Sequence, residues 1–184
     1  MKSVLIATRP KWVEKICHKI GEDEAGKAIY EKRIEVRKTA PQEVPFKAYI
    51  YCTIGNGVKG DYLVPSGIQC GKVIGEFVCD KASELDYVYY WNNGYEFETC
   101  LTYRQVADYG KGKPLYGWHI SDLKIYDRPR ELNEFRKSGF MTEEEWLFNL
   151  YPNTHCHYEA WAKKFEITCA PQSWMYVEDL GEEE

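Results

Sequence analysis

Glu31-Lys32-Arg33-Ile34-Glu35-Val36-Arg37-Lys38, read together with Thr8-Arg9-Pro10-Lys11-Trp12 upstream, puts dense charge on an element that ordinarily hides one face. In a strand from Ile34 to Lys38 the side chains alternate, so Glu35 and Arg37 point one way and Ile34 and Val36 the other. A rise of ~3.3 Å per residue sets that carboxylate and guanidinium roughly 7 Å apart along the strand, with the Lys32 ammonium near its start. Such a face is either a solvated surface with cross-strand ion pairs of ~0.2–1 kcal/mol each or a polar constellation held rigidly for a ligand.

Working outward, Lys2 to Thr8 contains an unbroken apolar run that predicts a buried strand. Thr8 or Arg9 then opens a helix with Pro10 in its first turn. Trp12, Val13, Ile16, Cys17 and Ile20 recur at helical spacing, and Gly21 closes the element. The free amide hydrogens at that helix start, beside Arg9 and Lys11, make a candidate anion seat. Lys47 to Ile54 alternates Ala48, Ile50, Cys52 and Ile54 against Tyr49, Tyr51 and Thr53. A glycine-rich loop is expected from Gly55 to Gly71. Lys72 to Cys79 reads as a strand with a bulge at Gly75, and Ala82 to Tyr90 as more of the sheet.

Thr102-Tyr103-Arg104-Gln105 fits a capping box opening a short helix that Gly110 closes. Leu115 to Tyr126 predicts one or two strands, with Trp118 and Ile120 facing away from His119 and Ser121. Thr142-Glu143-Glu144-Glu145 repeats the capping box, and residues 138–165 read as a helical insertion packed on the sheet. Pro171-Gln172-Ser173-Trp174-Met175-Tyr176-Val177 returns to strand alternation before the acidic tail Glu182-Glu183-Glu184. The expected fold class is α+β: one domain over residues 1–184, a small mixed β-barrel of five to six strands with flanking helices and a C-terminal helical insertion.

Composition narrows the function classes. Apolar residues make up 44% of the 184 and aromatics 15%, enough to build a core without staples. Seven cysteines, scattered and without a C-x-x-C pair, suit reduced thiols in a cytoplasmic protein. The first residues are too briefly apolar for a signal peptide, and no run approaches the ~18 residues of a membrane span. The net charge of -5 weighs against broad nucleic-acid binding, yet residues 1–60 hold 12 Lys and Arg against 7 Asp and Glu. A local basic cleft on an acidic body is consistent with that asymmetry.

The order of these pieces resembles the ASCH (activating signal cointegrator homology) domain. It is carried by Arg9-Pro10-x-Trp12, Lys32-x-x-Glu35-x-Arg37-Lys38, Tyr49-Ile50-Tyr51 and Gly71-x-Val73-Ile74-Gly75-Glu76-Phe77. Gly117-Trp118-His119-Ile120 and Pro171-Gln172-Ser173-Trp174 are similar to its phage and bacterial branch. The resemblance covers about residues 2–127 and 171–180, leaving the insertion outside. It implies a PUA-like barrel with a cleft lined by the lysine, glutamate and arginine of the charged strand, and a role in RNA binding or processing. One branch of the family resembles an amidohydrolase of acetylated cytidine, with threonine at the position of Glu35. A carboxylate cannot supply that hydroxyl nucleophile, so the activity does not carry over.

The candidate ligand-binding residues are therefore Arg9, Pro10, Trp12, Lys32, Glu35, Arg37, Lys38, Trp118, Ser173 and Trp174. Lys32 and Arg37 would hold a phosphate while Glu35 accepts from a base amino group or acts as a general base, or else simply pairs with Arg37 and holds it; Trp12, Trp118 and Trp174 would either pack in the core or rim or stack a base. Lys32 and Glu35 are the candidates for any catalysis. Glu76 reads as the buried partner of a basic cleft residue, and His119 as a hydrogen-bonded sheet histidine. His155-Cys156-His157 with Cys169 lacks tetrahedral spacing, so no metal is expected. Nor is a cofactor, because neither a P-loop nor a dinucleotide fingerprint is visible. Three functions compete: an RNA- or nucleotide-binding module, a hydrolase of RNA or modified nucleosides, and a protein-interaction module docking a partner through residues 138–165 with Trp146, Phe148 and Trp161.

Overall fold

The computed structural model describes residues 2–54, 69–85, 95–149 and 155–181. The sequence expectations for 55–68, for the continuation past Leu85 and for the acidic tail lie outside these residues. The central sheet has the strand order β10-β1-β5-β6-β9, built from β1 (Ser3–Thr8), β5 (Phe46–Cys52), β6 (Val73–Cys79), β9 (Ser121–Arg130) and β10 (Trp174–Val177). Strands β1 and β5 run parallel, and the other neighbours are antiparallel.

Alternation in β1 and β5 sorts the core. Val4, Ile6, Phe46, Ala48, Ile50 and Cys52 join one cluster with Val13, Ile16 and Trp118. Leu5, Tyr49 and Tyr51 join a second with Val73, Phe135, Ile167 and Val177. Both faces of the central sheet are thus covered, which is why its strands carry apolar or aromatic residues on both sides.

The charged strand β4 (Ile34–Arg37) does not belong to that sheet. It pairs with β8 (Tyr116–His119), which also pairs with β7 (Ala82–Glu84). Strands β2 (Lys19–Glu22) and β3 (Ala28–Tyr30) form a separate hairpin. Among the described residues the ten strands therefore make three sheets, of five, two and three strands, in the mixed α+β arrangement expected. Strands β9 and β10 stay as the outer strands of the central sheet, because β4 hydrogen-bonds to β8 rather than bridging them. Two glycines permit close approach. A Cβ on Gly75 would meet the Lys124 carbonyl oxygen at 2.4 Å, and one on Gly117 the Ile34 side chain at 2.9 Å. The ladder between β6 and β9 shifts register beside Gly75, where the bulge was expected.

Helix α1 (Pro10–Cys17) starts as read, with Arg9 as N-cap and Pro10 in the first turn. It ends before Gly21, because His18 turns extended and Lys19 onward pairs in β2, leaving Ile20 exposed. Helix α2 (Tyr95–Thr99) is short. Helix α3 (Tyr103–Gly110) carries the complete capping box between Thr102 and Gln105 and ends on Lys111 in the left-handed region. In the C-terminal segment, α4 (Glu143–Asn149) is opened by the Thr142 and Glu145 box, and α5 (His155–Ala162) follows. Their rings pack on one another: Trp161 lies 4.6 Å from Trp146, 4.6 Å from Phe165 and 5.8 Å from Phe140. The base of this segment is tied to β10 through Lys137 opposite Val177 and the Ser138 amide donating to the Tyr176 carbonyl. No helix is long and apolar enough to cross a membrane.

Candidate functional site

Strand β4 delivers Glu35 and Arg37 to one side, as alternation requires, but that side is interior. Glu35 is 6% exposed and Arg37 5%, while Lys32, just before the strand, is 2% exposed. The reading of a solvated face is thereby overturned. Glu35 Oε1 accepts from Arg37 Nη2 at 2.8 Å, and Glu35 Oε2 lies 3.4 Å from Lys32 Nζ. The Lys32 ammonium also donates to the Thr99 carbonyl at 2.8 Å. Arg37 Nη1 donates to the carbonyls of Ala7 and Ser173, both at 3.1 Å, and Nη2 to Thr8 Oγ1 at 3.2 Å. One guanidinium thus fastens the end of β1 to the segment leading into β10, a contact spanning 136 positions. Its Nε has no partner among the described residues. Burial pushes the Lys32 ammonium below the usual lysine value, and the attraction of Glu35 only partly restores it.

This network borders a cavity of about 750 Å³, within the size range of small-molecule sites. Its lining brings together Arg9, Lys11, Trp12, Lys32, Glu35, Arg37, Lys38 and Ser173 from the sequence reading, and adds Thr39, Gln105, Asp108 and Tyr109. Pro10 is not among the lining residues; it sets the helix start that aims Arg9 and Trp12. The three cations Arg9, Lys11 and Lys38 are exposed, unlike Lys32 and Arg37. Lys11 Nζ stands 4.5 Å from the Trp12 ring centre, Lys32 Nζ 5.5 Å from it, and Lys38 Nζ 4.7 Å from that of Tyr109. Burial raises the Tyr109 phenol's pKa above the usual tyrosine value, with Arg37, Glu35 and Arg9 also acting on it.

The aromatic part of the expectation is corrected at two positions. Trp118 is 0% exposed, wedged in the core with its ring 5.1 Å from Phe46 and 5.5 Å from Trp174, so it cannot stack a ligand. Trp174 is half-buried and donates its indole N–H to Thr39 Oγ1 at 2.9 Å, bracing a lining residue without being one itself. The reason lies in packing, since the Trp118 ring fills the space between Phe46 and Trp174. The aromatic lining is instead Trp12 and Tyr109. Tyr109 was missed because helical periodicity alone does not show which face of α3 meets β4. The signal was the capping box, which sets the helix frame and puts Gln105, Asp108 and Tyr109 on one face.

Other candidates fall elsewhere. Glu76 accepts from the Tyr126 hydroxyl at 2.6 Å, away from the cavity, so it partners a tyrosine rather than a cleft cation. His119 Nδ1 lies 2.6 Å from Asp80, the hydrogen-bonded sheet histidine expected. Among the described residues no His, Cys, Asp and Glu group is arranged for a metal; the side chains of His155 and Cys156 lie outside them. Trp146 and Trp161 are engaged with each other, whereas Phe148 is 90% exposed.

No protein-family profile matches the chain. No curated protein sequence matches it either. Solved structures do. The crystal structure of ASCH from Zymomonas mobilis superposes with a TM-score of 0.55 at 19% identity, over 96% of this chain and 88% of that one. A tyrosine-to-phenylalanine variant of the same protein gives 0.54 at 19%, over 97% and 91%. A serine-to-alanine variant gives 0.55 at 18%, over 96% and 89%. The fold is that of an ASCH domain.

Proposed function

We propose that the cavity binds a phosphorylated nucleoside, presented free or within a short single-stranded RNA. What carries this reading is that one 750 Å³ space joins Arg9, Lys11 and Lys38 to the rings of Trp12 and Tyr109. Exposed cations attract phosphate at little desolvation cost, and an aromatic face accepts any base by stacking, worth ~1–3 kcal/mol per base. The buried Lys32, Glu35 and Arg37 serve a different purpose in it. Glu35 engages both cations, and Arg37 also ties to Ala7, Thr8 and Ser173, so the three hold β1, β4 and the Ser173 segment in place beneath the ligand. An ASCH fold is consistent with this role. The test is fluorescence anisotropy with short labelled single-stranded RNA: binding weakens with salt, and Arg9→Ala combined with Lys38→Ala lowers affinity at least tenfold. Salt-independent binding, or none at low salt, overturns the reading.

A second reading, hydrolysis of RNA or a modified nucleoside, draws on Lys32. Its ammonium is held below the usual lysine value by burial and borders the cavity, which is the direction a proton-transferring lysine needs. Both Glu35 oxygens are already engaged, one by Arg37 and one by Lys32, which leaves Lys32 as the candidate of this reading. Loss of RNA cleavage in Lys32→Met with binding retained would favour this reading; absence of turnover on RNA and on acetylcytidine would remove it.

A further inference from the structure

Helix α3 turns one face to the cavity through Gln105, Asp108 and Tyr109. These positions, three and four residues apart, share a side of the helix and lie within ~6 Å of one another at Cβ. Gln105 is held in one orientation. Its Oε1 accepts from the Thr102 backbone N–H at 2.9 Å, and the Gln105 backbone N–H donates to Thr102 Oγ1 at 3.3 Å. With the carbonyl oxygen committed to the cap, the side-chain NH2 is left to face a ligand, and it can only donate. One turn further on, Asp108 offers two carboxylate oxygens that can only accept, and among the described residues neither has a hydrogen bond or ion pair.

The geometry points to α3 as the element that reads the base, with Gln105 and Asp108 selecting guanine. This rests on the cavity being a nucleotide site. Guanine's Watson–Crick edge presents a carbonyl acceptor followed by two neighbouring donors, N1–H and the 2-amino group. The Gln105 NH2 matches the carbonyl, and the two Asp108 oxygens match the donor pair. Adenine and cytosine offer one amino donor beside a bare ring nitrogen, and uracil one N–H between two carbonyls. Each of these leaves an Asp108 oxygen facing an acceptor or nothing, which costs affinity. Tyr109 and Trp12 supply the sequence-tolerant stacking, and Lys38 and Arg9 the phosphate attraction, so Gln105 and Asp108 alone carry discrimination.

The experiment is calorimetric titration of the full chain with the monophosphates of guanosine, inosine, xanthosine, adenosine, cytidine and uridine. Guanosine monophosphate is expected to bind roughly tenfold tighter than inosine monophosphate, which lacks only the second donor. Asp108→Asn replaces one acceptor by a donor, and is expected to turn the preference toward xanthosine monophosphate, whose base has a carbonyl where guanine has the amino group. Thermal unfolding checks that the exposed substitution leaves the fold intact. Equal affinity for the nucleotides, or an Asp108→Asn profile identical to wild type, overturns the base assignment while leaving the nucleotide site standing. Absence of binding to wild type by any of these nucleotides and by short single-stranded RNA overturns both.

Discussion

Glu35 and Arg37, two positions apart on β4, meet at 2.8 Å with each at most 6% exposed. A charged strand that looks suited to solvent is thus an interior clasp, with Glu35 as the one anion between two buried cations. Breaking such a group from one side leaves charge without compensation. Glu35→Gln is expected to lower unfolding free energy by about 3 kcal/mol in urea titrations. Adding Lys32→Met to it should cost less than the two single changes together by at least ~0.5 kcal/mol. Strict additivity would contradict a shared network.

Lys32 makes stability depend on pH in one direction. Burial holds the folded-state amine below its ordinary 10.5, so just beneath that pH the unfolded chain binds more protons. The Lys32 contribution therefore improves as pH rises toward 10.5 and levels off above it. Wild type measured against Lys32→Met by urea unfolding should gain as pH approaches 10.5 from below. A flat or falling difference would show a lysine of ordinary acidity.

Two tryptophans separate packing from recognition. Trp118→Phe removes volume from the core and should cost about 2 kcal/mol of stability while leaving RNA affinity within twofold. Trp12→Ala, at the cavity, should cost affinity roughly tenfold, in line with lost stacking. Equal effects on affinity would return Trp118 to the site.

Gly75 and Gly21 make a matched pair for backbone approach. Gly75→Ala drives a Cβ into the Lys124 carbonyl and should destabilise by about 2 kcal/mol or more. Gly21→Ala meets nothing within 4 Å and should stay within about 0.5 kcal/mol of wild type in thermal unfolding.

Local chemistry made much of this legible in the sequence. Pro10 marked a helix start, Thr102 with Gln105 and Thr142 with Glu145 marked two more, and alternation in β5 sorted both faces of the central sheet. The convergence of Arg9, Lys32, Glu35, Arg37, Lys38 and Ser173 on one cavity followed from matching motif order. Alternation could not say which sheet covers a strand, so the burial of Glu35 and Arg37 was hidden. Trp118 read as either core packing or a stacking wall; only its seat between Phe46 and Trp174 decides for the core. Strands β2 and β3 have neither an apolar run nor alternation, and Ile20 carried the helical spacing past its true end. Tyr109 lies on the face that the capping box frames, but only the docking of α3 aims that face at the cavity.

The most direct test of the nucleotide site is to follow the six tryptophan indole N–H signals by two-dimensional nuclear magnetic resonance while short single-stranded RNA is added. With assignments made by substitution, the Trp12 signal should shift saturably, the Trp118 signal should stay in place, and Lys38→Glu should abolish the response. Shifts confined to Trp146 and Trp161, or no shift at any ratio of RNA to protein, would contradict a ligand seated between Arg9, Trp12, Lys38 and Tyr109.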